Sequence, residues 1–267
     1  MAVTRHVAST RALIPLSRMG HNVAEERPST AHIAGEYLPC GGFIGDSGAG
    51  GKTAVLSSVI SKQVNVADIR SILVVGCGDG SDARSLAQHF GCRVTAIDLQ
   101  DYFEISNKDK VTFIQMSACN MEFEDSSFSF VYSFHALEHI PDYKKAISEI
   151  RRVLKPGGGY CIGTPNRARV VGYVGVPDYS LMTKIRANAT DWAIRLKGKF
   201  RNEFGAHAGY TARELVSICN AIGPGRDVSN EYYLELYARW RMLLKIIIFL
   251  GLHRFAWPSV YIVGAKP

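Results

Sequence analysis

Three glycines at alternate positions, Gly76, Gly78 and Gly80, lie between an apolar run and a helical pattern. Glycine lacks Cβ and accepts positive φ, so such a turn lets a ligand rest directly on the backbone. An acid, Asp98, stands 20 residues after Gly78. In open α/β sheets ligands bind outside the carboxyl ends of the strands. A bare turn after one strand and a carboxylate ending the next fit a nucleoside, with the carboxylate accepting from both ribose hydroxyls. Three histidines downstream, His135, His139 and His207, are of the type that takes up a proton near neutral pH. The adjacent pair Glu138-His139 could instead hold a divalent metal, or His139 could simply cap the following helix.

The elements that must position these groups are readable from pattern. Ile72–Val75 is a continuous aliphatic run, as expected of a strand buried on both faces. Ala83, Leu86, Ala87 and Phe90 recur at helical spacing, with Ser81 or Asp82 as N-cap and Gly91 as terminator. Arg93–Ile97 is the second strand, which delivers Asp98 at its carboxyl end. Asp101–Lys110 reads as a weak helix, Val111–Gln115 as a third strand and Ser127–Phe134 as a fourth. Phe134, His135 and Ala136 then emerge beside the predicted ligand. A helix begins at Pro141 and Asp142 and carries the stripe Tyr143, Ala146, Ile147, Ile150, Val153 and Leu154. Lys155–Gly159 stops it, and Tyr160–Gly163 is the fifth strand. Thr211 and Glu214 form a capping box for a helix over Ala212–Ala221. Arg226–Tyr233 reads as a sixth strand and Ser259–Ala265 as the last.

Three motifs occur in order: the glycine turn with Asp98, then Leu137-Glu138-His139-Ile140-Pro141-Asp142, then Leu154-Lys155-Pro156-Gly157-Gly158 before a strand. As a set, over residues 71–167, they resemble the class I S-adenosylmethionine (AdoMet)-dependent methyltransferases, in particular the methyltransferase type 11 group with the ubiquinone and menaquinone biosynthesis enzymes. The resemblance implies a doubly wound, Rossmann-like α/β fold: a seven-stranded, mostly parallel sheet, an antiparallel last strand and helices on both faces. It implies AdoMet as cofactor, with Gly76, Cys77, Gly78 and Gly80 facing its methionine part and Asp98 and Leu99 at the ribose. Ser117 and Ala118 would meet the adenine, and Phe134 and His135 would line the site. Two positions depart from the pattern: Ser117 replaces the usual adenine-binding Asp, and Ser129 replaces an acid at the entry to the fourth strand. The reaction implied is methyl transfer to a small molecule, most simply at oxygen of a sugar, lipid-linked or quinone-type acceptor. His139, His135 and His207 are the candidate bases. A non-catalytic methyltransferase-like binding or assembly protein is the alternative. A nicotinamide-dependent oxidoreductase is disfavoured by the glycine spacing.

Composition sets outer bounds. The six cysteines are scattered without a C-x-x-C pair, which points to reduced thiols in a cytoplasmic compartment. The net charge of +7 suits anionic partners, but no Asn/Asp-Pro-Pro-aromatic motif or RNA-binding module argues for nucleic acid. Residues 1–35 read as a flexible, basic arm resembling a mitochondrial presequence only loosely. Residues 36–267 read as a single domain. Residues 39–53 end like a P-loop, but Asp46 occupies the place of its first glycine, so a glycine-rich lid before a helix from Thr53 to Lys62 is the better reading. Residues 168–210 read as a substrate-side insertion, and between Lys184 and Arg201 only Asp191 is acidic. Leu234–Leu252 reads as one apolar helix. It suits a dimer contact, packing on the sheet, or peripheral membrane contact with Trp240, Arg241, Lys245, Phe249 and Trp257 as anchors.

Overall fold

The computed structural model describes residues 49–101, 110–173, 180–204 and 206–267. A seven-stranded sheet runs in the order β3-β2-β1-β4-β5-β7-β6. Its strands are β1 (Ser71–Val75), β2 (Arg93–Asp98), β3 (Val111–Gln115), β4 (Phe128–Phe134), β5 (Leu154–Pro165), β6 (Gly225–Asp227) and β7 (Ser259–Ala265). All neighbours pair in parallel except β5 with β7 and β6 with β7. The aliphatic runs explain the parallel centre: Ile72, Leu73, Val74 and Val75 are all buried, alternating between two core clusters on opposite faces.

Helices cover both faces: α1 (Ala49–Ser61), α2 (Ser81–Phe90), α3 (Tyr143–Val153), α4 (Leu181–Leu196), α5 (Ala212–Cys219), α6 (Ser229–Leu236), α7 (Arg241–Phe249) and α8 (His253–Ala256). Helix α3 starts at an Asp142 cap whose side chain accepts from the Lys145 N–H, and it buries Ala146, Ile147, Ile150 and Val153. Helix α5 carries the expected capping box of Thr211 and Glu214.

Several expectations are corrected. The sixth strand stops at Asp227, because that carboxylate accepts from the Ser229 N–H and hydroxyl and turns the chain into α6. Tyr232 and Tyr233 are therefore buried helical residues. The single helix over Leu234–Leu252 is broken into the end of α6, a 3₁₀ turn at Ala238–Trp240, α7 and α8. Trp257 is not an anchor: it is buried and donates its indole N–H to Asn230. Strand β5 begins at Leu154, so the Lys155–Gly159 segment belongs to it. Helix α2 has no side-chain cap. Gly80 takes the N-cap at φ 83°, Asp79 accepts from Ser81 instead, and Asp82 is bonded by Thr53. Gly50 and Gly51 lie inside α1, not in a lid loop. The rest of the glycine-rich stretch, the N-terminal arm and the weak helix after Asp101 lie outside the described residues.

Candidate active site

The strand order reverses between β1 and β4, so the carboxyl ends of β2, β1 and β4 lie side by side. This is the switch point at which open α/β sheets bind ligands. After β1, the backbone N–H groups of Gly76 and Cys77 both donate to the Ile97 carbonyl, at 2.9 and 3.1 Å. Gly76, Gly78 and Gly80 all have positive φ (72°, 51° and 83°). At Gly76 only glycine fits, since a Cβ would lie 2.2 Å from the Cβ of Ala136. At Gly78 a Cβ would meet nothing within 4 Å, so this rung of the turn faces open space.

Asp98 closes the other side. Its Oδ2 accepts from the Gly78 N–H at 3.0 Å and its Oδ1 from the Gln100 N–H at 3.2 Å. An ionised carboxylate offers about four acceptor positions, so about two remain for a diol. The Cys77 thiol is buried and pushed up to about 12, by burial first and then by Asp98. It is an inert filler, lying 3.9 Å from the Gly78 carbonyl. Leu99 is exposed at 66%, an apolar side chain held open beside the carboxylate. Ser117 follows β3; its Oγ accepts from the Cys119 N–H at 3.2 Å. Ala118 is half-buried against the core.

Beyond β4 lies a cluster of titratable groups. Phe134 stacks on Tyr261 with ring centroids 5.5 Å apart. His135 has φ 52°, a costly conformation for a residue with a side chain and one concentrated at functional sites. It is fixed by its N–H to the Gly163 carbonyl, at 3.0 Å, and by Nε2 at 3.1 Å from the Ser259 hydroxyl. A 3₁₀ turn, Leu137–His139, then buries Glu138 while exposing His139. Oε1 of Glu138 lies 3.9 Å from both His135 Nδ1 and His139 Nε2. The ring of His139 meets that of His207 edge-on at 4.6 Å. All three imidazoles are held below their ordinary value, chiefly by desolvation; the Arg169 charge adds to this at His135 and His207. They are neutral at neutral pH; His135, pushed down to about 3, is too weak a base to take up a proton there.

The structure thus brings together His135, His139 and His207, the three candidate bases. It adds Arg169, which was missed. Arg169 is buried, pairs with Asp191 at 3.2 Å and donates to the His207 carbonyl at 3.2 Å. Ser129 has a different meaning from the one expected. Its hydroxyl binds the Arg70 and Ser71 N–H groups and the Ser71 carbonyl, at the amino end of the sheet. The departure at Ser129 therefore says nothing about the cofactor. Among the described residues no group of three or more His, Cys, Asp or Glu is arranged to hold a metal.

Comparison with known proteins places this geometry. Residues 73–162 match the family described as "Methyltransferase domain". Over 100 residues the chain is 37% identical to the sterol 24-C-methyltransferase of Eremothecium gossypii, covering 34% of this chain and 27% of that protein. The corresponding Saccharomyces cerevisiae enzyme is 35% identical, covering 34% of this chain and 26% of that one. The chain thus spans about a quarter of the length of these relatives. Phosphoethanolamine N-methyltransferase 2 of Haemonchus contortus, in complex with S-adenosyl-L-methionine, superposes with a TM-score of 0.52 at 22% identity, over 84% of this chain and 55% of that one. That likeness is one of fold.

Proposed function

We propose that the chain is an AdoMet-dependent methyltransferase acting on a small acceptor of lipid type, a reading supported by the match of residues 73–162 to the methyltransferase domain family. The observation that carries the reading is the carboxyl edge of the sheet. There a bare glycine turn and the two open acceptor positions of Asp98 stand beside a neutral imidazole cluster. The residues fit the cofactor: Gly78 leaves room for it, Asp98 suits its ribose diol, Leu99 offers an apolar surface, and Ser117 and Ala118 lie where the adenine edge would reach. AdoMet, when bound, supplies an electrophilic methyl group for in-line displacement. The chain's task is to hold the acceptor in line, exclude water and take up the departing proton. His139 is exposed enough to meet an acceptor, and His207 is a neutral neighbour in ring contact with it. The relatives' names specify transfer to a carbon of a sterol. The expectation of an oxygen acceptor of sugar or quinone type has no support from them.

Calorimetric titration with AdoMet, S-adenosylhomocysteine and NAD tests the cofactor. Binding of the first two in the micromolar range, and none of NAD, is expected; folded protein that ignores AdoMet would overturn the enzyme reading. Methyl-labelled AdoMet incubated with lipid and aqueous extracts then tests the acceptor class, and label confined to the aqueous fraction would exclude a lipid. Replacing Ser117 with Asp should tighten AdoMet binding roughly fivefold, because a charged acceptor makes the stronger hydrogen bond to the adenine amine. His139→Ala should lower kcat by about 100-fold, the usual scale for loss of a general base, with the AdoMet affinity unchanged. An unaltered kcat would move the role to His207.

A further inference from the structure

Helix α7 is apolar on its inner and its outer side. Leu244 points into the core at 8% exposure, while Met242, Ile246 and Phe249 form an i, i+4, i+7 stripe facing outward, Met242 at 74% and Phe249 at 89%. An apolar face calls for apolar surroundings, and among the described residues nothing covers the outer one. The preceding turn exposes Trp240, and the following helix exposes Phe255. Charge singles out what covers this face. After Glu235 the chain contains no Asp or Glu, while Arg239, Arg241, Lys245 and Arg254 are all exposed around the stripe. A two-fold copy of this chain would set those like charges against one another. A sheet of phosphate groups above hydrocarbon complements both features, with Trp240 at the level where tryptophan is favoured. No helix among the described residues is long and apolar enough to cross a membrane, so the contact is in-plane.

We propose that α7 and α8 dock this protein on an anionic lipid surface, with Met242, Ile246 and Phe249 in the headgroup–acyl boundary and the four cations at the phosphates. The docking face runs on to the candidate site. Val170 donates to the Phe255 carbonyl at 2.9 Å, Trp192 donates to the Val170 carbonyl at 3.0 Å, and Ser259, three residues beyond α8, holds His135. A lipid acceptor could then pass from the surface to the cluster without crossing water. The docking itself does not depend on the methyltransferase reading.

Flotation of the full chain with vesicles tests it, using phosphatidylcholine alone and phosphatidylcholine with about one third phosphatidylserine. Binding to the mixed vesicles only, weakened by salt, is expected. Phe249→Ser with Met242→Ser should reduce partitioning about tenfold or more, and Arg241→Glu with Lys245→Glu at least as much. All four positions are exposed, so circular dichroism and AdoMet titration should match wild type; unchanged AdoMet binding separates this test from that of the enzyme reading. Absence of wild-type binding, or binding indifferent to phosphatidylserine, would overturn the proposal. So would a dimer in sedimentation that Phe249→Ser dissolves.

Discussion

Asp98→Ala should weaken AdoMet binding by at least about 100-fold, equivalent to about 3 kcal/mol, because it removes two charge-assisted hydrogen bonds to the ribose. The structure makes the effect larger than a simple ligand contact would. The same carboxylate holds the Gly78 N–H at 3.0 Å and the Gln100 N–H at 3.2 Å. Its loss frees Gly78 in the middle of the glycine turn, while Gly76 and Gly80 keep their backbone bonds to Ile97 and Cys77. Asp98→Asn separates the two roles. Its carbonyl oxygen can still accept from Gly78, but its NH₂ group is a donor and is mismatched to one of the remaining partners. The expected order of affinity is wild type, then Asn, down by about tenfold, then Ala. Thermal unfolding of the ligand-free proteins supplies the control: Ala should be destabilised by about 1 to 2 kcal/mol and Asn by less. Equal binding by wild type and Ala would remove Asp98 from the site and with it the nucleoside reading.

Much of this edge was legible in the chain because its constraints are local. A run of four aliphatic residues has one solution beside a parallel neighbour, and glycine at positions 76, 78 and 80 states the backbone angles outright. The Leu137–Asp142 segment carried its own turn and its own cap. What escaped was decided at a distance. Arg226–Tyr233 reads as a strand, but Asp227 and Ser229 form a side-chain turn, and the aromatic cluster of Tyr233, Trp257 and Tyr261 rewards a helix there. The run from Leu234 to Leu252 has helical spacing throughout, so only tertiary contact could show where it breaks. Arg169 is the clearest case. A lone arginine in a basic stretch carries no signal until folding sets Asp191 opposite it. Ser129, a departure from the family pattern, turns out to secure the start of two strands through its hydroxyl.

Glu138 should make the protein less stable as the solution becomes more alkaline. Its side chain is 1% exposed, and neither carboxyl oxygen has a hydrogen-bond partner. Burial pushes it up to about 8; its own backbone N–H and the Arg169 charge oppose the shift without cancelling it. The folded protein therefore keeps a proton that the unfolded chain has already released. Between the ordinary carboxylate value and about 8 the folded state binds more protons, so stability falls as pH rises, by about 1.4 kcal/mol per pH unit. The neighbouring histidines act in the opposite sense. Held down in the fold, they add stability as pH rises through about 6.5 and on to about 7.5, above which they are neutral in both states. The histidines titrate alike in wild type and Glu138→Gln, so the slope of Glu138 is the difference between the two, worth about 1.5 to 2 kcal/mol between about pH 6.5 and 8. Urea midpoints across that range should fall for wild type relative to Glu138→Gln, which keeps the shape without the charge. The gap should open above the ordinary carboxylate value and widen up to about pH 8, with the Gln variant the more stable. Parallel curves would mean that the carboxyl is ionised and has a partner. A proton kept on Glu138 also bears on turnover. A base such as His139, 3.9 Å away, gains a proton from an acceptor more easily when the nearby acid can ionise in response. Glu138→Gln should therefore lower kcat by about tenfold and flatten its rise between pH 7 and 8, leaving the AdoMet affinity as it was. A purely structural carboxyl would leave that profile in place.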